Sequence, residues 1–205
     1  PMKTLITNGR IITPSGIIEG YLLYEDGKII EVGAGECAAA ADETIDAEGR
    51  YVSPGFIDIH THGAGGADYM DGTIDAYLTA ARTSAMHGAT LVYPTTLTSS
   101  NEVLFDTFAL YQKAAEANTE GAAFGGLHLE GPYFNPKQAG AQDPRYLRNP
   151  QPEDYLEILS RSDVIARWSF SPELDGAPEF AAELSKRGII ASVGHTDASF
   201  EQCDA

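Results

Sequence analysis

Cysteine is nearly missing from this 205-residue chain: Cys37 and Cys203 stand far apart, with no CxxC spacing. No apolar signal segment opens the sequence, so a reducing, cytoplasmic setting is the expectation. Basic residues are also scarce. Thirteen Lys and Arg against thirty Asp and Glu leave a net charge of -17, an unfavourable field for nucleic acid or for an anionic bilayer surface. No run approaches the ~18 apolar residues of a membrane span. A small-molecule role fits what is left, although a phosphorylated ligand would need a local basic cluster working against the global field. The 43% apolar content is enough for a sizeable core, and roughly 200–250 residues still fit one barrel-type domain, so length does not settle the domain count. Pro1 precedes Met2 and reads as an addition ahead of the natural start; it is left out of the reading.

What is present falls into two rhythms. Residues 1–53 carry short strand-like runs (Leu5-Ile6, Arg10-Ile11-Ile12, Ile17-Ile18, Tyr21–Tyr24, Lys28–Val32, Thr44–Asp46) broken by turn residues. This predicts a small β-rich module, with Asn8-Gly9 and Asp26-Gly27 as two-residue hairpin turns. Residues 54–205 alternate apolar strand-like runs with helical spacings. The runs are 52–62, 89–97, 124–133, 164–171 and 188–195; the helical spacings include Ile74, Tyr77, Leu78, Ala81 and Phe180, Ala181, Leu184. Gly88 and Gly188 stop helices just before strands. Such alternation predicts an α/β fold with a parallel sheet, either open and doubly wound or a (β/α)8 barrel. Five strands do not close an eight-stranded barrel, and the sequence stops at Ala205 in what begins as another helix. A fragment is therefore expected.

Polar residues collect where the apolar runs end. In Pro54-Gly-Phe-Ile-Asp58-Ile-His60-Thr-His62-Gly63 the two histidines share strand parity and can face one cation, with imidazole bonds of ~2 Å. In Gly126-Leu-His128-Leu-Glu130-Gly131-Pro132 a carboxylate arrives at the strand mouth with the parity of His128. His128, one pleat deeper, is expected to support a ligand rather than to be one. Ala191-Ser-Val-Gly194-His195-Thr196 again ends in an imidazole. The hydroxyl-rich ends Tyr93–Thr96 and Ser169–Glu173 are read as capping. His60, His62, Glu130 and His195 thus form a candidate metal set at the C-terminal ends of strands, where barrel enzymes place their chemistry. Asp58 sits two pleats below His62 and is expected to be structural or to support a ligand.

These residues give the chain a resemblance to the amidohydrolase superfamily and, within it, to the N-acetylglucosamine-6-phosphate deacetylases. The resemblance is carried by PGFIDIHTHG at 54–63, HGATLVYPTTLTS at 87–99, LHLEGPYFNPKQAGAQDP at 127–144 and VGHTDAS at 193–199. It implies a (β/α)8 TIM-type barrel, here about its first five βα units, with a small β-sandwich built from both chain termini, usually assembled as a homodimer. It implies hydrolysis of the acetamide of an amino-sugar phosphate, with Glu130 and His195 as main metal ligands and a further His and a proton-transferring Asp beyond Ala205. No catalytic residue is therefore assigned within the chain. Ala141 and Gln142 match a substrate-contacting pair, and Gln142 can hydrogen-bond but carry no charge. His60 and His62 leave room for a second metal. Zinc is the first expectation for the divalent metal, with iron, manganese or cobalt as alternatives. Arg145 and Arg148 are candidates for phosphate.

Other readings differ in substrate or in class. Dihydroorotase-, hydantoinase- or adenine-deaminase-like hydrolases share the HxH motif, but many carry a bridging lysine on the fourth strand, where this sequence has Arg167-Trp168. The chain could also be a truncated product without turnover.

Overall fold

β-branched and aliphatic residues interrupted by turn residues give the first fifty-five positions a single mixed sheet. In the computed structural model, which describes residues 1–204, the chain separates into two units, Pro1–Gly55 and a second beginning at Phe56. The first unit holds β1 (Lys3–Thr13), β2 (Gly16–Glu25), β3 (Lys28–Ala34), β4 (Glu43–Asp46) and β5 (Tyr51–Val52). Their order is β3-β2-β1-β4, with β5 also paired to β1. β1–β2 and β2–β3 are antiparallel; β4 and β5 run parallel to β1. Leu5, Tyr21 and Leu23 form its small core.

Asp26-Gly27 closes the β2–β3 hairpin as expected, with φ of 47° and 78°, the positive torsions that a primed turn requires. Asn8-Gly9 does not turn the chain. Asn8 has φ 52° inside β1, and the register against β2 shifts between Ile6 and Gly9. The pair is a bulge, because Arg10, Ile11 and Ile12 continue the ladder against Glu19, Ile18 and Ile17. A side chain at Gly9 would meet Ile11 Cδ1 at 2.9 Å and Val52 Cγ2 at 3.0 Å. The turn lies instead at Pro14-Ser15, between the paired Thr13 and Gly16.

The second unit is mixed α/β. It contains β6 (Phe56–Thr61), a minor hairpin of β7 (Gly63–Ala64) and β8 (Ala67–Asp68), α1 (Ile74–Met86), β9 (Ala89–Pro94), α2 (Asn101–Ala117), β10 (Ala123–Phe124) and β11 (Leu127–Glu130). α3 (Pro152–Arg161), β12 (Ile165–Phe170), α4 (Ala177–Lys186), β13 (Ile190–Val193) and α5 (Phe200–Asp204) follow. Two of the five apolar runs are interrupted. The stretch 52–62 is split by Ser53-Pro54-Gly55 into β5 and β6, and 124–133 by Gly125-Gly126 into β10 and β11. Gly126 has φ 115°, and a side chain there would meet Ala166 Cβ at 2.6 Å, so the strand steps sideways at this point.

Strands β10-β9-β6 and β11-β12-β13 form two parallel ladders. A parallel bridge between Thr95 and His128 joins them. With β10 and β11 taken as one run broken at Gly125-Gly126, the strands are neighbours in the order in which the chain makes them, each joined to the next through a helix. A doubly wound sheet would reverse its strand order; none of these neighbours does. Thr73 and Ser100 cap α1 and α2, accepting from Ala76 N and Val103 N. The core behind the strands is aromatic: Tyr133 stacks on Trp168 at 5.6 Å and 18°, and Phe180 meets both edge-on. Full burial of such side chains stabilises by about 2–3 kcal/mol each. That packing fixes the strand ends above it.

Candidate metal centre

Glu130 ends β11 with only 6% of its side chain exposed, and three imidazoles converge on its carboxylate. His62 Nε2 lies 3.0 Å from Oε2, His195 Nε2 lies 2.9 Å from Oε1, and His60 Nε2 lies 3.5 Å from Oε1. Donor atoms of His60, His62 and Glu130 all fall within 4.8 Å of one another. β6 and the residue that follows it deliver the first two histidines, β11 the acid and the turn after β13 the third histidine.

The hydrogen bonds behind the rings decide what this arrangement accepts. His62 Nδ1 faces Thr95 O at 3.2 Å and His195 Nδ1 faces Gln138 O at 2.9 Å. A carbonyl only accepts, so both rings carry Nδ1–H and, when neutral, present a lone pair at Nε2. Those lone pairs point at a carboxylate that also only accepts. Acceptor facing acceptor needs a cation between them, either a proton on each ring or a shared metal ion. A set of imidazoles and one carboxylate with carbonyl-fixed tautomers suits a divalent metal of the zinc type. Glu130 responds to the same charges. Burial works to raise its carboxyl, but hydrogen bonds from His62 and His195 and the positive field of the rings prevail and hold it down at about 2. The hydrogen bond to Glu130 correspondingly raises His62, against the effect of its partial burial.

His128 is fully buried and has no nitrogen to spare. Thr95 Oγ1 donates to Tyr93 O at 3.0 Å, so His128 Nδ1 donates to that hydroxyl at 3.3 Å; Ser169 Oγ closes on Nε2 at 2.7 Å. Burial, with the nearby His60 and Arg167, pushes its imidazolium pKa down to about 4. Its ring packs edge-on against His60 at 4.9 Å. Asp58 reaches His60 only through the backbone N–H, at 3.1 Å.

Gln142 is buried, its Oε1 accepting from Thr98 N at 2.8 Å. That bond leaves the Gln142 amide group as the donor end, while the neighbouring Ala141 is exposed. Arg148 does not serve as a free cation. It pairs with both oxygens of Asp154, at 2.6 and 3.1 Å, and donates to Asn101 Oδ1. It ties the loop after β11 to α3, a role its position in the sequence did not reveal. Arg145 lies against its neighbour Asp143.

The surrounding polar groups brace the ligands. Thr96 Oγ1 accepts from Glu130 N at 3.3 Å, and Ser171 Oγ donates to the His195 carbonyl at 2.7 Å. Phe134 stacks on the His195 ring at 4.3 Å, and Gln138 orients it through a backbone carbonyl. Sequence reading passed over both, since neither a stacking phenyl nor a backbone acceptor has a residue-type signature.

An amidohydrolase family model matches residues 43–96. The chain is 31% identical over 98% of its length to N-acetylglucosamine-6-phosphate deacetylase of Lysinibacillus sphaericus, and 33% identical over 95% to the Bacillus subtilis enzyme of that name. A Mycobacterium smegmatis deacetylase variant, solved in complex with N-acetyl-D-glucosamine-6-phosphate, superposes with a TM-score of 0.84 at 28% identity over 98% of this chain. The chain spans about half the length of these relatives: 52% and 50% of the two enzymes and 52% of the solved chain. Along nearly all of its own length, then, this chain resembles the N-acetylglucosamine-6-phosphate deacetylases, and residues 43–96 carry the amidohydrolase signature.

Proposed function

We propose that this chain supplies the metal-holding part of a hydrolase that cleaves the acetamide of N-acetylglucosamine 6-phosphate to glucosamine 6-phosphate and acetate. The observation that carries the reading is the convergence of three imidazole Nε2 atoms on the Glu130 carboxylate, in a chain similar to such deacetylases from end to end. Chain-order parallel strands with intervening helices support an arc of about five βα units of a (β/α)8 barrel, here 54–205. Residues 1–53 are read as the N-terminal part of a β-sandwich.

Glu130 and His195 would hold the principal ion, with His60 and His62 completing it or holding a second. Zinc suits the donor set, and iron, manganese or cobalt fit the same donors. When bound, a divalent ion polarises the amide carbonyl and makes water a better nucleophile near neutral pH. The chain's own residues orient and shield. His128 keeps His60 in place and is neutral above about pH 4. Gln142, fixed at Oε1, offers its amide N–H to a sugar hydroxyl or carbonyl, with Ala141 beside it. Proton transfer is assigned to an Asp outside these residues, since the Asp58 carboxylate accepts from the His60 backbone N–H. A homodimer in the cytoplasm completes the reading. Two free cysteines suit a reducing compartment, and among the described residues no helix is long and apolar enough to cross a membrane.

Acetate release from N-acetylglucosamine 6-phosphate, measured with zinc present on this chain and on a C-terminally extended form, tests the proposal. The extended form should turn over, and this chain should be slower by about two orders of magnitude or more for want of the acid/base. An extended form that binds metal yet releases no acetate defeats the substrate assignment.

A further inference from the structure

His195 stands at φ 51°, in the left-handed region that a side chain disfavours, so neighbours must impose its conformation. They come from the segment after β12. Ser171 Oγ takes the backbone, lying 2.7 Å from His195 O and 3.2 Å from Gly194 O. Glu173 takes the flanks. Its Oε1 accepts from the Asp197 backbone N–H at 2.8 Å and from Asn135 Nδ2 at 2.8 Å, and its Oε2 accepts from Thr196 Oγ1. Thr196 and Asp197 directly follow His195. Asn135 follows Phe134, whose ring stacks on the His195 imidazole, and it caps the short helical turn that ends at Gln138, whose carbonyl faces Nδ1. One carboxylate therefore ties the segment bearing the imidazole to the segment that supplies its stacking phenyl and its Nδ1 acceptor.

We propose that Glu173 is a positioning residue of the metal centre, holding the His195 ring so that Nε2 faces Glu130. The proposal rests on the metal reading of this site. Among the described residues the Glu173 carboxylate forms no hydrogen bond or ion pair with a candidate ligand side chain and acts through Thr196, Asp197 and Asn135. Its loss should therefore be felt at His195 and not at His60 or His62.

A double-mutant cycle on zinc affinity, read by competition with a chromophoric chelator on the full chain, tests this. Glu173→Ala should weaken zinc about tenfold. Glu173→Gln, which keeps one acceptor oxygen, should weaken it less. In a His195→Ala background the same changes should shift affinity by less than about twofold. Thr196→Val removes one of the two donors on the His195 side and carries the test if Glu173→Ala fails to fold; it should weaken zinc about threefold, again only with His195 present. Equal weakening with and without His195, or none in its presence, overturns the proposal. Failure of the wild-type chain to take up zinc defeats the metal reading itself, and the proposal with it, before any variant is compared.

Discussion

β11 and β6 both deliver metal-ligand candidates, yet the two strands are built differently. β11 is buried at every residue and paired on both sides, to β12 along its length and to Thr95 at His128. β6 has one strand neighbour among the described residues, β9, and Phe56, Ile57 and Ile59 are exposed. Glu130 is 6% exposed, while His60 and His62 are 45% and 34% exposed. Glu130 is therefore held before any ion arrives, whereas the more exposed His60 and His62 are less confined. Glu130 should therefore dominate affinity and β6 should tune it.

The largest effect expected is at the acid. Glu130→Ala removes the common partner of three imidazoles and should weaken zinc roughly a thousandfold, measured by chelator competition. Equal losses at Glu130 and His60 would break the contrast.

Next comes the backbone that delivers it. Gly131 has φ 89°, and a side chain there would meet Thr98 Oγ1 at 2.1 Å. Gly131→Ala should cost about 3 kcal/mol in urea unfolding; a loss under about 1 kcal/mol would mean that the β11 mouth is looser than described.

A comparable pH effect follows from His128. Its pKa is depressed to about 4 from 6.5, so between those values the unfolded chain binds the extra proton and stability falls as the medium is acidified. Glu130, depressed from 4.5 to about 2, extends the decline below pH 4.5. In metal-free protein, His128→Phe should remove the part of the decline between pH 6.5 and 4, on the order of 2–3 kcal/mol, and leave the lower part. An unchanged profile would mean that His128 is not held neutral.

The smallest effect belongs to β6. His60→Ala should weaken zinc by about tenfold or less, because Nε2 is the most distant of the three from Glu130.

The sequence exposed this asymmetry unevenly. Strand-end parity brought His60, His62, Glu130 and His195 to one rim, because side-chain alternation and the βα rhythm are local properties of the chain. At Asn8-Gly9 the sequence alone favours a turn over the bulge, since Asn-Gly favours positive φ in either setting and only pairing across to β2 decides between them. Arg148 looked available for phosphate because its partner, Asp154, becomes a neighbour only when the loop folds back on α3. The tautomers of His62 and His195 depend on carbonyls of Thr95 and Gln138, which every residue carries, so no residue type announces them.

In the proposed site Glu130 and His195 grip a divalent cation with His60 and His62 close by. Its most direct test is an anomalous difference map at the zinc edge from zinc-soaked crystals of this chain. A peak is expected about 2 Å from a Glu130 carboxylate oxygen and from His195 Nε2, and none in Glu130→Ala. A map with no peak there, or with a peak that survives loss of Glu130, would contradict it.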